Sequence, residues 1–135
     1  MQPAVAASYQ KPLSTKEEDY LESILNVTEI KGYARSKDIA DDLDVVPSSV
    51  SEMFLKLSKK GLVTYRKYEG VTLTPEGKLI AEQVKFRHTI LVEFLEILGV
   101  PKNIADLDAC FMEHELNQVT IQKIKEFVAK RNKNK

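Results

Sequence analysis

Three side chains able to hold a metal ion fall within five positions of the stretch DACFMEHEL: Cys110, Glu113 and His114. At i, i+3 and i+4 they project from one face of a helix, close enough to share an ion. A thiolate, a carboxylate and an imidazole suit a borderline transition ion such as Fe(II), Co(II), Ni(II) or Zn(II), and suit Ca(II) or Mg(II) poorly. The bland alternative is that Cys110 is a small buried hydrophobe and that Glu113 and His114 form ordinary surface hydrogen bonds. Two further features favour the metal. His88 is the one other histidine, and Asp19 and Glu22 form a carboxylate pair three residues apart that helix capping leaves unexplained. Either could complete a coordination shell.

A second constellation concerns nucleic acid. The segment from Ser14 to Thr74 carries nine Lys or Arg against eleven Asp or Glu, which argues against uniform attraction to a polyanion. Between Lys56 and Tyr68, however, stand five basic residues and no acidic one. Ser48, Ser49 and Ser51 sit just upstream, where hydroxyls could donate to phosphates or base edges. Short hydroxyls discriminate bases poorly, so DNA shape would carry part of any specificity.

These side chains need elements to position them. Ser14 with Glu17 makes a capping box (Thr15 with Glu18 is the other frame), and Tyr20, Leu21, Ile24 and Leu25 form an apolar stripe that predicts a helix to about Lys31, stopped by Gly32. SKDIADDLDV reads as a short helix capped by Ser36, with Ile39, Ala40 and Leu43 inward. Pro47 opens a third helix with Val50, Phe54 and Leu57 inward and Gly61 at its end. Two short helices joined by a tight turn predict a helix-turn-helix. LVTYRKYEGVTLT then predicts a hairpin, a wing, with the positive φ at the Gly of KYEG. Thr74 and Pro75 start a long helix to Gly99, Pro101 a fifth, and Asn117 caps a sixth, with NKNK a frayed end.

The fold class expected is therefore mainly α: an N-terminal winged helix-turn-helix with a small β-hairpin wing, followed by an all-α dimerisation domain. Its bounds are 1–13 for a flexible arm, 14–74 for the DNA-binding domain and 75–135 for the helical, metal-binding domain. In TILVEFLEILGV the apolar positions exceed one stripe, which a second subunit would cover, so a homodimer is expected. One cysteine excludes an internal disulfide. No basic and apolar leader opens the chain, and no apolar stretch is long enough to span a bilayer, so the expected location is the cytoplasm, with no membrane partner and no small organic substrate.

In five segments, EEDYLESI, KGYARSKDIADDLDVVPSSVSEMFLKLSKKGLV, YEGVTLTPEGK, RHTILVEFLEILGV and EHEL, the sequence resembles the metal-dependent repressors, which comprise diphtheria-toxin-type iron regulators and manganese-transport regulators. The resemblance implies a homodimer that binds a double-stranded DNA operator when metal is bound and represses metal-uptake genes. It implies metal ligands at Asp19, Glu22, His88, Glu113 and His114, with Cys110 where the manganese branch has glutamate and the iron branch cysteine. The iron branch has methionine in place of Asp19, and further ligand positions matching Asp106 and Val92, of which valine cannot ligate. The DNA-binding set expected is Arg35, Ser36, Pro47, Ser48, Ser49, Ser51, Lys56, Lys60, Lys67 and Tyr68. Cys110 softens the site toward Fe(II), so iron is favoured with Mn(II) close behind, and Co, Ni or Zn could substitute. In the mechanism this implies, Asp19 and Glu22 repel Glu113 and Cys110 until an ion joins helix 1 to helix 5; each like-charge pair at ~4 Å costs roughly 1 kcal/mol in water. The join would set the spacing of two recognition helices to successive major grooves, about 34 Å apart. A winged-helix regulator sensing an organic ligand is the alternative. Catalysis is not expected, because a carboxylate di-iron site wants Glu-x-x-His pairs and here Glu113 and His114 are adjacent.

Overall fold

The computed structural model describes residues 13–134. The arm expected over 1–13, Leu13 apart, and the segment read for a leader lie outside the described residues. The chain divides into two compact units, one ending at Ala81 and one starting at Glu82. Among the described residues no helix is long and apolar enough to cross a membrane.

The first unit begins with α1 (Thr15–Lys31), α2 (Ser36–Leu43) and α3 (Pro47–Lys59). The Ser14 frame of the capping box is the one adopted: Ser14 Oγ accepts from the Glu17 N–H at 3.1 Å, and Glu17 Oε1 accepts from the Ser14 N–H at 2.8 Å. Tyr20, Leu21, Ile24 and Leu25 are buried as their spacing requires, and meet Ile39, Val50, Phe54 and Leu57 in one core. Gly32 ends α1 in the left-handed region. Ser36 does not cap α2. It is the first helical residue, and the Asp38 carboxylate reaches back to accept from the Arg35 N–H at 3.0 Å.

The hairpin pairs β1 (Val63–Arg66) with β2 (Gly70–Leu73), from Val63 opposite Leu73 to Arg66 opposite Gly70. A bridge between Ala34 and Val71 joins a third chain segment to the hairpin, one that the sequence did not announce. It explains Gly70, since a Cβ there would lie 2.5 Å from the Ala34 carbonyl oxygen, at a φ of 118°. Tyr68, not only glycine, takes a positive φ in the wing turn.

Glu17 does more than cap. It is 2% exposed, and its Oε2 accepts from Lys60 Nζ at 2.6 Å with Lys56 Nζ at 3.9 Å. Burial opposes its ionisation, but the hydrogen bonds from Lys60 and the Ser14 N–H and the charges of Lys60 and Lys56 together hold the carboxyl below its ordinary range. A folded-state pKa lowered in this way stabilises the fold at pH values above the ordinary carboxylate range, and the stabilisation is lost as pH falls through the lowered value. Glu17→Gln should therefore cost about 1–2 kcal/mol at neutral pH in urea unfolding. The gap to wild type should close in acid; a gap of constant size would contradict the ion-pair origin.

The second unit contains most of α4 (Pro75–Ile97), with α5 (Lys102–Glu115) and α6 (Gln118–Lys133). Thr74 caps α4 through the Gly77 N–H at 3.1 Å, and Asn117 caps α6 through the Val119 N–H at 2.9 Å. The end NKNK is not frayed from its start, because α6 continues through Lys133. Ile90, Leu91, Val92 and Leu95 of α4 pack with Ala105 and Ala109 of α5 and Ile124 and Val128 of α6. The apolar excess in TILVEFLEILGV is thus largely absorbed within the chain, because two helices cover α4. Leu98 of that stretch stays exposed, and an exposed apolar stripe lies on α5, at Ile104, Leu107 and Phe111, spaced three and four residues apart.

Candidate metal centre and DNA-binding surface

Glu113 is the hub of the candidate centre. It sits on α5, is 4% exposed, and directs one carboxylate oxygen toward each histidine: Oε1 lies 3.3 Å from His114 Nε2, and Oε2 lies 3.6 Å from His88 Nδ1. The length of α4 carries His88 to α5, and the 3.6-residue period sets Cys110 one turn before Glu113. His88, Cys110 and Glu113 can each aim one ligand atom at a common point, all within 4.8 Å of one another. The shared helix face expected of Cys110, Glu113 and His114 is met at Glu113, though Cys110 groups with His88 while His114 approaches the other carboxylate oxygen. Cys110 is exposed, so it is not the buried hydrophobe of the bland reading.

The donor set fits a divalent transition ion. Glu113 Oε2 is a buried oxygen with no hydrogen-bond partner among the described residues. Leaving such a group unsatisfied costs about 1–3 kcal/mol, more when charged, so its retention calls for a ligand. Imidazole, thiolate and carboxylate together complement such an ion. Asp19 and Glu22 belong to α1 in the first unit, where both are half-buried.

The DNA-binding candidates lie in the first unit. Arg35, Pro47, Ser48, Ser49, Lys56, Lys60, Lys67 and Tyr68 are exposed, whereas Ser36 and Ser51 are half-buried. Pro47 opens α3, so Ser48 and Ser49 stand in its first turn, beside the positive end of its dipole. Tyr68 at the wing tip is 89% exposed with Lys67 Nζ 5.2 Å from its ring, and the Arg35 guanidinium lies 5.2 Å from the Tyr33 ring. Sequence reasoning missed that Glu17 anchors Lys60. The two are 43 residues apart, and no local pattern links them.

Two family models match the chain. Residues 12–71 match the family model of the iron dependent repressor N-terminal DNA binding domain, and residues 74–135 match that of the iron dependent repressor metal binding and dimerisation domain. The chain is 50% identical over 112 residues to the HTH-type transcriptional regulator MntR of Oceanobacillus iheyensis, covering 82% of this chain and 76% of the relative. It is 43% identical over 111 residues to MntR of Geobacillus thermodenitrificans, covering 82% and 79%. Among solved structures, a manganese-dependent transcriptional repressor in complex with manganese superposes with a TM-score of 0.76 at 29% identity, over 84% of this chain and 52% of that one. The manganese regulator SloR gives 0.72 at 29% identity, over 84% and 53%. The chain spans about half the length of those two structures.

Proposed function

This chain belongs to the iron-dependent repressor family and is a metal-responsive transcriptional repressor, not an enzyme; on that premise we propose that Mn(II) is its activating ion and that it binds operator DNA as a cytoplasmic homodimer. The observation that carries the metal reading is the buried, unsatisfied Oε2 of Glu113 facing His88 beside Cys110. Fe(II), favoured by Cys110 alone, moves to second place. The MntR relatives and the manganese-bound structure weigh against it, as does the excess of hard carboxylate oxygen in the proposed set.

We assign His88, Cys110, Glu113 and His114 as the ligands from the helical unit. Asp19 and Glu22 are the contribution of the DNA-binding unit, an assignment resting on the match of EEDYLESI to the family. When bound, the ion supplies two positive charges that offset these carboxylates. Affinity for DNA then follows metal through the ion's differential binding to two arrangements of the protein. Arg35, Lys56, Lys60 and Lys67 hold phosphates, Ser48, Ser49 and Ser51 approach phosphates or base edges, Ser36 and Pro47 set the starts of α2 and α3, and Tyr68 extends the wing. The test is Mn(II) binding to the protein without DNA, followed by electron paramagnetic resonance. Saturable binding is expected, and its loss in His88→Ala; absence of binding rejects the reading.

A second copy is the occupant assigned to the α5 stripe, where Leu107 is 66% and Phe111 73% exposed within a region matched as a dimerisation domain. Leu107→Asp should convert the dimer to monomer in sedimentation equilibrium and weaken operator binding with it. An unchanged mass would move the interface elsewhere.

A further inference from the structure

We infer that Asp106 is the positioning residue of His88: it accepts the imidazole Nε2–H and so presents Nδ1 toward Glu113 and Cys110 as the ligating nitrogen. The inference deepens the metal-centre reading and rests on it. His88 Nε2 lies 3.5 Å from Asp106 Oδ1, while Nδ1 lies 3.6 Å from Glu113 Oε2. The ring therefore stands between two carboxylates of the same helix, with one nitrogen facing each. Both contacts are longer than a tight hydrogen bond, and a small ring rotation would close either.

A neutral imidazole carries one N–H, so only one of the two carboxylates can receive it. Glu113 Oε2 is buried and has no hydrogen-bond partner among the described residues, which makes it a strong competitor for that N–H. Were Glu113 to win, Nδ1 would be a donor and useless to a metal, and the Nε2 lone pair would face the Asp106 carboxylate. Asp106 tips the balance the other way. Its side chain is 47% exposed, and its Oδ2 lies 3.6 Å from Lys102 Nζ one turn earlier while its Oδ1 faces the ring. Metal-bound histidines generally donate their second N–H to such a group, and the loss of that partner typically costs 10–100-fold in metal affinity. Asp106 matches a position where the iron branch places a ligand, but here it faces the side of the ring opposite to Glu113, which suits an orienting role.

The test uses Asp106→Leu and Asp106→Asn in the full chain, with 15N NMR of the histidine rings in Zn(II)-loaded protein and Mn(II) affinity from electron paramagnetic resonance. With two histidines in the chain, the ring signals are few. Wild type should show Nδ1 coordinated and Nε2 protonated at His88. Asp106→Leu should show mixed tautomers and about tenfold or more weaker Mn(II) binding, while Asp106→Asn, which keeps an acceptor oxygen, should stay within about threefold of wild type. Coordination through Nε2, an Asp106→Leu variant indistinguishable from wild type, or a drop in the number of ions bound would each overturn the inference. A drop would make Asp106 a ligand. If Zn(II) leaves both His88 nitrogens unmoved, the metal-centre reading itself fails, and this inference with it.

Discussion

Glu113→Gln should lower Mn(II) affinity by on the order of 100-fold, at least the upper end of the effect known for residues that only touch a ligand from outside. The substitution keeps the shape of the side chain and removes its charge. Because Glu113 Oε2 has no hydrogen-bond partner among the described residues, the metal-free variant should unfold within about 1 kcal/mol of wild type. The metal-loaded proteins should differ sharply. At 100 times the Kd, an ion that binds only the folded state stabilises it by about 2.7 kcal/mol, and at the same Mn(II) concentration that increment should fall to about 0.4 kcal/mol in the variant. Thermal unfolding with and without Mn(II) separates the two possible roles. A variant that loses stability without metal and keeps its Mn(II) increment would make Glu113 a structural residue.

Gly77→Ala should be the most damaging small substitution in the DNA-binding unit, at about 3 kcal/mol in urea unfolding. Gly77 lies in the first turn of α4, and a Cβ there would fall deep inside the Leu62 carbonyl oxygen. That carbonyl cannot yield easily, since it also accepts from the Thr74 N–H at 3.1 Å, and Thr74 in turn donates its hydroxyl to the Gly61 carbonyl at 2.8 Å. Gly61→Ala is the informative control. Its Cβ would meet nothing within 4 Å, so only the positive φ of 76° is strained, at roughly 1–2 kcal/mol. Equal costs for the two variants would mean that the close approach of α4 to Leu62 is not maintained in solution.

What was legible in the sequence was mostly local. The box at Ser14 and Glu17, Pro47 at the start of α3, Thr74 before α4 and Asn117 before α6 all announce helix starts within a few residues, and each start falls where its signal stands. The face shared by Cys110, Glu113 and His114 follows from helical period alone. What escaped depends on distance along the chain. The Glu17–Lys60 pair, the bridge from Ala34 to Val71 and the approach of Gly77 to Leu62 join segments that only the folded core brings together. The cap of α2 was misassigned because Ser36 and Asp38 are both good capping residues, and the backbone decides between them. The apolar excess of α4 pointed to a partner subunit, but periodicity could not show that α5 and α6 would cover it. The iron preference read from the sequence rested on a single thiol, and the Mn(II) proposed above rests on the relatives and on the carboxylates of the proposed set. One soft donor weighs less than the carboxylates around it, and the sequence gives no count of which donors converge.

Operator affinity as a function of Mn(II) tests the central claim most directly. The probe is a DNA duplex selected from a random library by the Mn(II)-loaded protein, and the readout is fluorescence anisotropy under strictly anaerobic conditions, with Fe(II) and Zn(II) in parallel. Saturating Mn(II) should tighten binding by a factor of about 10–100, in the usual range of allosteric coupling, and Glu113→Gln should show no such gain. Equal affinity with and without the ion would contradict the account, whichever metal were supplied.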